Sequence, residues 1–107
     1  MSAWKVIYTE QAEADLREIY EYIAYTLLEP EAAKNQARRI MDAAGKLDQL
    51  PLRHPLYDKE PWQSKGLRVL TVDHFLAFYL PIEKQNTVVV IRIMYGGRNI
   101  REHLSQT

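Results

Sequence analysis

Two arginines, Arg68 and Arg92, stand inside otherwise apolar, β-branched runs at 67–72 and 87–94. A guanidinium presents planar donors that can engage two oxygens of one phosphate or carboxylate. Each arginine therefore has two readings: it binds an anion, or it reaches solvent or pairs with a carboxylate of the chain such as Asp73. Directly after the second run come Tyr95, Gly96, Gly97 and Arg98. The glycines let backbone approach a ligand or adopt positive φ, and Arg98 adds a charge able to reach a phosphate just outside the strand. Lys65, Arg101 and Tyr79 fall nearby on a plausible topology. The chemistry such a set suits is the capture of an RNA or DNA backbone, or of an acidic protein segment.

Other chemistries find less support. The chain has no cysteine, which removes disulfides, thiolate nucleophiles and cysteine-based metal centres. His54, His74 and His103 are scattered without ligand spacing, so no metal site is expected. Gly96-Gly97 lacks the longer glycine pattern and the lysine of a phosphate-binding loop, and no cofactor is expected. Total charge is balanced, with 14 Lys+Arg against 14 Asp+Glu. Its distribution is not: residues 1–50 carry six basic and nine acidic groups, a net of −3, and residues 51–107 carry eight and five, a net of +3. An anionic partner is expected to meet the C-terminal half. The N-terminal residues contain neither a signal-peptide apolar run nor a membrane-spanning stretch, so a cytoplasmic location without membrane contact is expected.

At 107 residues the chain suits one core, hence a single domain over 1–107. Residues 4–8 alternate as a short strand, and Thr9 can cap the helix that follows, with Glu10 at the positive end of its dipole. Ala12, Leu16, Ile19, Ile23 and Leu27 form an apolar stripe at three- and four-residue spacing, opposite Glu13, Arg17, Glu18 and Glu21. Pro30 ends that helix and starts another, whose stripe is Ala33, Ala37, Ile40, Ala44 and Leu47. Small alanines allow the two helices to close into an antiparallel hairpin. Prolines at 51, 55 and 61 predict an irregular loop over 50–66. Strands are predicted at 67–72, 75–80 and 87–94, joined by short connections into an antiparallel meander. Strict alternation puts Arg92 on one face with Val88, Val90 and Met94. A short C-terminal helix follows, with Asn99 and Glu102 as a capping box. The fold class is α+β: an N-terminal strand, a helical hairpin, and three antiparallel strands forming one sheet, closed by a short helix.

This order, with Leu67-Arg68-Val69-Leu70, Leu76-Ala77-Phe78-Tyr79 and Ile91-Arg92-Ile93-Met94-Tyr95-Gly96-Gly97-Arg98-Asn99-Ile100, resembles the RelE/ParE toxin superfamily over nearly the whole chain. The final segment is similar to the His-Gly-Arg-Arg-Asp-Ile ending frequent in the ParE and plasmid-stabilisation branch, with Tyr95, Gly97 and Asn99 replacing histidine, the first arginine and aspartate. The resemblance implies the toxic half of a type II toxin–antitoxin pair, held inactive by a cognate antitoxin. It implies one of two targets: messenger RNA cleaved on the ribosome, or DNA gyrase. The messenger-cleaving reading would use Arg68 and Arg92 to stabilise phosphorane charge and Tyr95 in proton transfer, with Lys65, Arg98 and Arg101 holding nucleic-acid backbone. Met94 stands where messenger-cleaving relatives carry a histidine. Ribosome-dependent, metal-independent messenger cleavage is the expectation taken forward; a gyrase poison and a non-toxic adaptor are the alternatives.

Overall fold

A computed structural model describes residues 3–97 and 99–107. The chain begins with strand β1 (Lys5–Tyr8), helix α1 (Glu10–Glu21) and a wider π-helical turn (Tyr22–Thr26), then helix α2 (Pro30–Gly45). After two short 3₁₀ turns come a one-turn helix α3 (Trp62–Lys65), strands β2 (Arg68–Val72), β3 (Phe75–Ile82) and β4 (Thr87–Tyr95), and helix α4 (Ile100–Ser105). The sheet order is β1-β4-β3-β2. β2, β3 and β4 are antiparallel neighbours, whereas β1 lies parallel to β4, Lys5 opposite Thr87 and Tyr8 opposite Val90.

Local chemistry explains the boundaries. The Thr9 hydroxyl accepts a hydrogen bond from Ala12 N at 3.1 Å, capping α1 as the sequence suggests. The same hydroxyl donates to Ile91 O at 3.0 Å, tying the start of α1 to β4. Pro30 opens α2. Asn99 does not cap α4: its amide donates to the Glu102 carboxylate at 3.0 Å, and the capping box does not form. The loop over 50–66 is less irregular than its prolines imply, because it holds the Pro51–Arg53 3₁₀ turn and α3. β3 continues through Pro81, which sits opposite Val88. β2 ends its pairing at Tyr79, so a proline N–H missing from that side of β3 breaks no ladder.

Two apolar clusters sandwich the sheet. On the hairpin side, Ala12, Ile40, Ala44 and Leu47 pack on Leu70, Ala77, Tyr79, Val88, Val90 and Ile93. On the other side, Leu104 of α4 closes over Leu67, Phe78, Ile91 and Met94. The predicted helix stripes are buried unevenly. Ala12, Ala33, Ile40, Ala44 and Leu47 are buried; Leu16, Ile19, Ile23 and Ala37 are half-buried; Leu27 is exposed, because the chain widens into its π-helical turn before reaching it. In β4, Ile91 is buried and Val89 half-buried.

One irregularity decides where the strand arginines go. Phe78 faces Arg92 and Tyr79 faces Val90, leaving Ile91 as an extra residue in β4. This β-bulge inverts the alternation. Val88, Val90 and Ile93 face the hairpin, while Ile91 and Met94 face α4. Arg92 pairs with Phe78 of the α4-side cluster, so the expectation that it shares a face with Val88 and Val90 fails at the bulge.

Candidate functional site

Arg92 lies on β4 beyond the reach of β1, where the strand edge would otherwise be open. Asp15 of α1 fills that place. Its carboxylate accepts from Arg92 Nε at 2.7 Å, from Arg92 Nη2 at 3.0 Å and from the backbone N–H of Ile93 at 2.9 Å. Arg92 Nη1 donates to His103 O of α4 at 3.0 Å and to the Thr107 hydroxyl at 3.3 Å. The side chains are 13% and 12% exposed. Asp15 thus stands in for a missing strand partner, and Arg92 ties α1, β4 and α4 together. Its hydrogen bond to Asp15 raises the Arg92 pKa further above its ordinary value.

Arg68 is on the hairpin side, opposite Tyr79. Nη1 donates to Leu52 O at 3.1 Å and to His54 O at 2.7 Å, clamping the loop to β2. Its Nε–H is buried and meets no acceptor among the described residues. Asp73, the carboxylate that sequence suggested for it, is taken instead by Arg39 of α2, through bonds of 2.9 and 2.7 Å, and by Gln36. Those bonds hold the Asp73 carboxyl below its ordinary pKa. Tyr79 is unavailable to a ligand: it is fully buried, its hydroxyl donates to Pro51 O at 2.6 Å, and burial pushes its pKa up to about 12.

Tyr95 is half exposed at the far end of β4, opposite Phe75. Arg68 aligns with Tyr79, four residues from Phe75 along β3. That is about 13 Å along the strands, plus two strand spacings of nearly 5 Å each. The structure therefore brings Arg68, Arg92 and Tyr95 to three separate places. Lys65 lies over the Trp62 ring at 4.8 Å, and Arg101 is exposed on α4. Arg98 lies outside the described residues.

Two open clefts flank β2. The first, ≈ 300 Å³, is lined by Arg39, Asp42, Lys46, Arg53 and His54 over Leu70 and Val72. Burial, and then the neighbouring Arg53, lowers the His54 pKa. Sequence reasoning missed this basic lining, although Arg39, Asp42, Ala43 and Lys46 repeat at the spacing of one helix face. The second, ≈ 260 Å³, is lined by Thr71, Asp73, His74, Leu76, Tyr95, Gly96 and Gly97. His74 and Tyr95 have ring centroids 6.4 Å apart there, a neighbour that sequence spacing could not give to Tyr95. A Cβ on Gly97 would stand 2.7 Å from the Tyr95 ring, so glycine lets the chain turn across that ring. Among the described residues no group of three His, Asp or Glu side chains is placed to hold a metal ion, and no helix is long and apolar enough to cross a membrane.

This sheet with its hairpin and short terminal helix is the RelE/ParE toxin fold. The family described as ParE toxin of type II toxin–antitoxin system, parDE, matches residues 6–100, and the chain belongs to that family. The chain is similar to the chromosomal ParDE toxin–antitoxin system from P. aeruginosa, with 25% identity, a TM-score of 0.71, and 87% of this chain and 96% of that one covered. The RelBE2 toxin–antitoxin complex from Mycobacterium tuberculosis shares the fold at 24% identity and a TM-score of 0.61, over 89% and 93% of the chains. The RelE–RelB complex from Pyrococcus horikoshii OT3 shares it at 14% identity and a TM-score of 0.60, over 90% and 98%. No curated protein sequence matches the chain. The protein is a toxin of the RelE/ParE superfamily.

Proposed function

We propose that this toxin acts as a ParE-like poison of DNA gyrase, by a protein–protein contact, and that a cognate antitoxin holds it inactive. The observation that carries this reading is the engagement of Arg92. One-step cleavage of RNA requires a base for the 2′-hydroxyl, an acid for the leaving oxygen and cations around one developing phosphorane. Here Arg92 is locked to Asp15, Arg68 clamps a loop from the opposite face, and Tyr95 is a strand length from Arg68. Such an arrangement supports binding without chemistry. The match to the ParE family and the likeness to a ParDE system support the same reading.

A second reading, ribosome-dependent messenger cleavage, is favoured by one observation: His74 and Tyr95 face a common open cleft and would supply a proton acceptor and a proton donor. The experiment is a paired assay with purified folded protein. Gyrase trapped on cleaved DNA, with a programmed message left intact on ribosomes, is the expected result. Message cleavage that is lost in both His74→Ala and Tyr95→Phe, with gyrase unaffected, would overturn the proposal in favour of the second reading.

A further inference from the structure

The tip of the helical hairpin breaks local stability rules at several successive positions. After Glu21 the backbone widens into a π-helical turn, closed by Leu27 N to Tyr22 O at 3.0 Å and followed by Glu29 N to Ile23 O at 3.0 Å. Such turns are rare and concentrate at functional sites. Leu28 then adopts a left-handed conformation, φ 57°, where glycine is the ordinary occupant. The last turn of α1 carries Glu18 and Glu21 and no basic residue, against the helix dipole. Within the turn Ala24 is buried and Ile23 half-buried, but its other large side chains are not covered. Tyr22, Tyr25, Leu27 and Leu28 are all exposed, Tyr25 by 69% and Leu28 by 78%. Clustered exposed apolar side chains mark interaction surfaces, and tyrosines are frequent anchors within them. Strain and exposure together at one place point to a site kept for binding.

Charge identifies the occupant. Residues 18–33 contain four glutamates and no lysine or arginine. Glu31 meets Lys34 at 3.8 Å, while Glu21 and Glu29 have no cationic partner among the described residues. A nucleic-acid backbone would be repelled here. The basic cleft lies along the second half of α2, from Arg39 to Lys46, about 14 to 24 Å from the start of that helix. An acidic partner therefore has a separate place to dock. Resting on the reading of this toxin as one that acts by protein contact, we infer that the hairpin tip is the surface that engages the target protein, at an apolar crevice rimmed by lysine or arginine.

The test uses the full chain with Tyr25→Ser and Leu28→Gly combined, and separately Glu21→Lys with Glu29→Lys. Leu28→Gly relieves the left-handed leucine, so the thermal midpoint of the double variant is expected to stay at or near that of the wild type. The concentration needed to trap gyrase on DNA is expected to rise at least tenfold in both variants, while affinity for the cognate antitoxin stays within about twofold. Wild-type potency in a folded tip variant would overturn the inference and leave the gyrase reading intact. Loss of antitoxin binding in parallel would overturn it by making the tip the antitoxin's site, and so would conversion of a wild-type dimer to monomer. If the wild-type protein does not touch gyrase, that reading falls by itself. Growth arrest on expression without antitoxin then decides: arrest lost in the tip variants supports the inference, and arrest retained, or absent from the wild type, overturns it.

Discussion

Replacing Asp15 by alanine should unfold this protein more readily than almost any other single change to a polar residue. The carboxylate accepts three hydrogen bonds, two from Arg92 and one from Ile93 N, and both partners of the ion pair are nearly nine-tenths covered. Removing it strands a guanidinium with only His103 O and the Thr107 hydroxyl, and leaves a strand N–H unpaired at the point where β1 has ended. Breaking a buried pair from one side typically costs about 3–5 kcal/mol. The lower end applies because the pair lies at a sheet edge, giving about 3 kcal/mol and a fall in Tm of roughly 10–15 °C for a chain of this size. Urea unfolding followed by the fluorescence of Trp4 and Trp62 measures it. Arg92→Met and the double variant Asp15→Leu/Arg92→Met complete a cycle in which the double change should cost less than Asp15→Ala alone, since an apolar replacement removes both charges together. A cost below about 1 kcal/mol for Asp15→Ala, at the level of an exposed ion pair, would refute the structural role of Arg92 and return it to the candidates for chemistry.

Ile40→Ala, at a fully buried position between α2 and the sheet, should cost about 2–5 kcal/mol in the same unfolding assay. Tyr79→Phe leaves Pro51 O without its buried donor and should cost about 1–3 kcal/mol. The Tyr79 pKa is raised from 10.0 to about 12, so its contribution is complete below pH 10 and is lost as pH rises toward 12; stability should fall over that window in the wild type and more shallowly in Tyr79→Phe. Arg68→Gln releases the clamp on Leu52 O and His54 O, and ultraviolet titration should show the Tyr79 pKa falling toward 10.0, because burial is its largest cause; a rise would mean that the loop stays closed and only the Arg68 charge was felt. Tyr95→Phe should leave gyrase trapping within about twofold of wild type, whereas a transition-state role would cost roughly 10²-fold or more in message cleavage.

Much of the fold was legible because its signals are local. The Thr9 cap, the stripe from Ala12 to Ile23, Pro30 at the start of α2 and the β-branched runs around Leu70 and Val90 each depend on residues within a turn or two. The misreadings have local causes as well. Leu27 continues the α1 stripe by spacing but not in space, since a π-helical turn rotates it out of phase. Pro81 looks like the end of β3 until the short length of β2 is known, because only then does the missing N–H face an unpaired side. Asn99 and Glu102 have the spacing of a capping box, yet they bond to each other side chain to side chain.

The candidate site was less legible, and the bulge in β4 shows why. With an unbroken period of two, Arg92 would share the hairpin-side face with Val90, which lies across Tyr79 from Arg68, and the two guanidiniums would stand on one face. The extra Ile91 turns Arg92 toward α4, where Asp15 reaches it across 77 residues of sequence. No spacing rule connects residues so far apart, and the nearby Glu13 and Glu18 give no sign that Asp15 differs from them. The difference lies in the end of β1. Because β1 stops at Tyr8, the N–H of Ile93 has no strand beside it, and the next element, α1, must supply an acceptor from one face position. Once an acidic side chain occupies that position, a nearby arginine offsets the cost of burying it. The strand arginine that most resembles a catalytic group is thus accounted for by the length of the first strand. That leaves the exposed tip between α1 and α2, where strain and apolar exposure have no such internal explanation, as the part of the molecule whose chemistry faces outward.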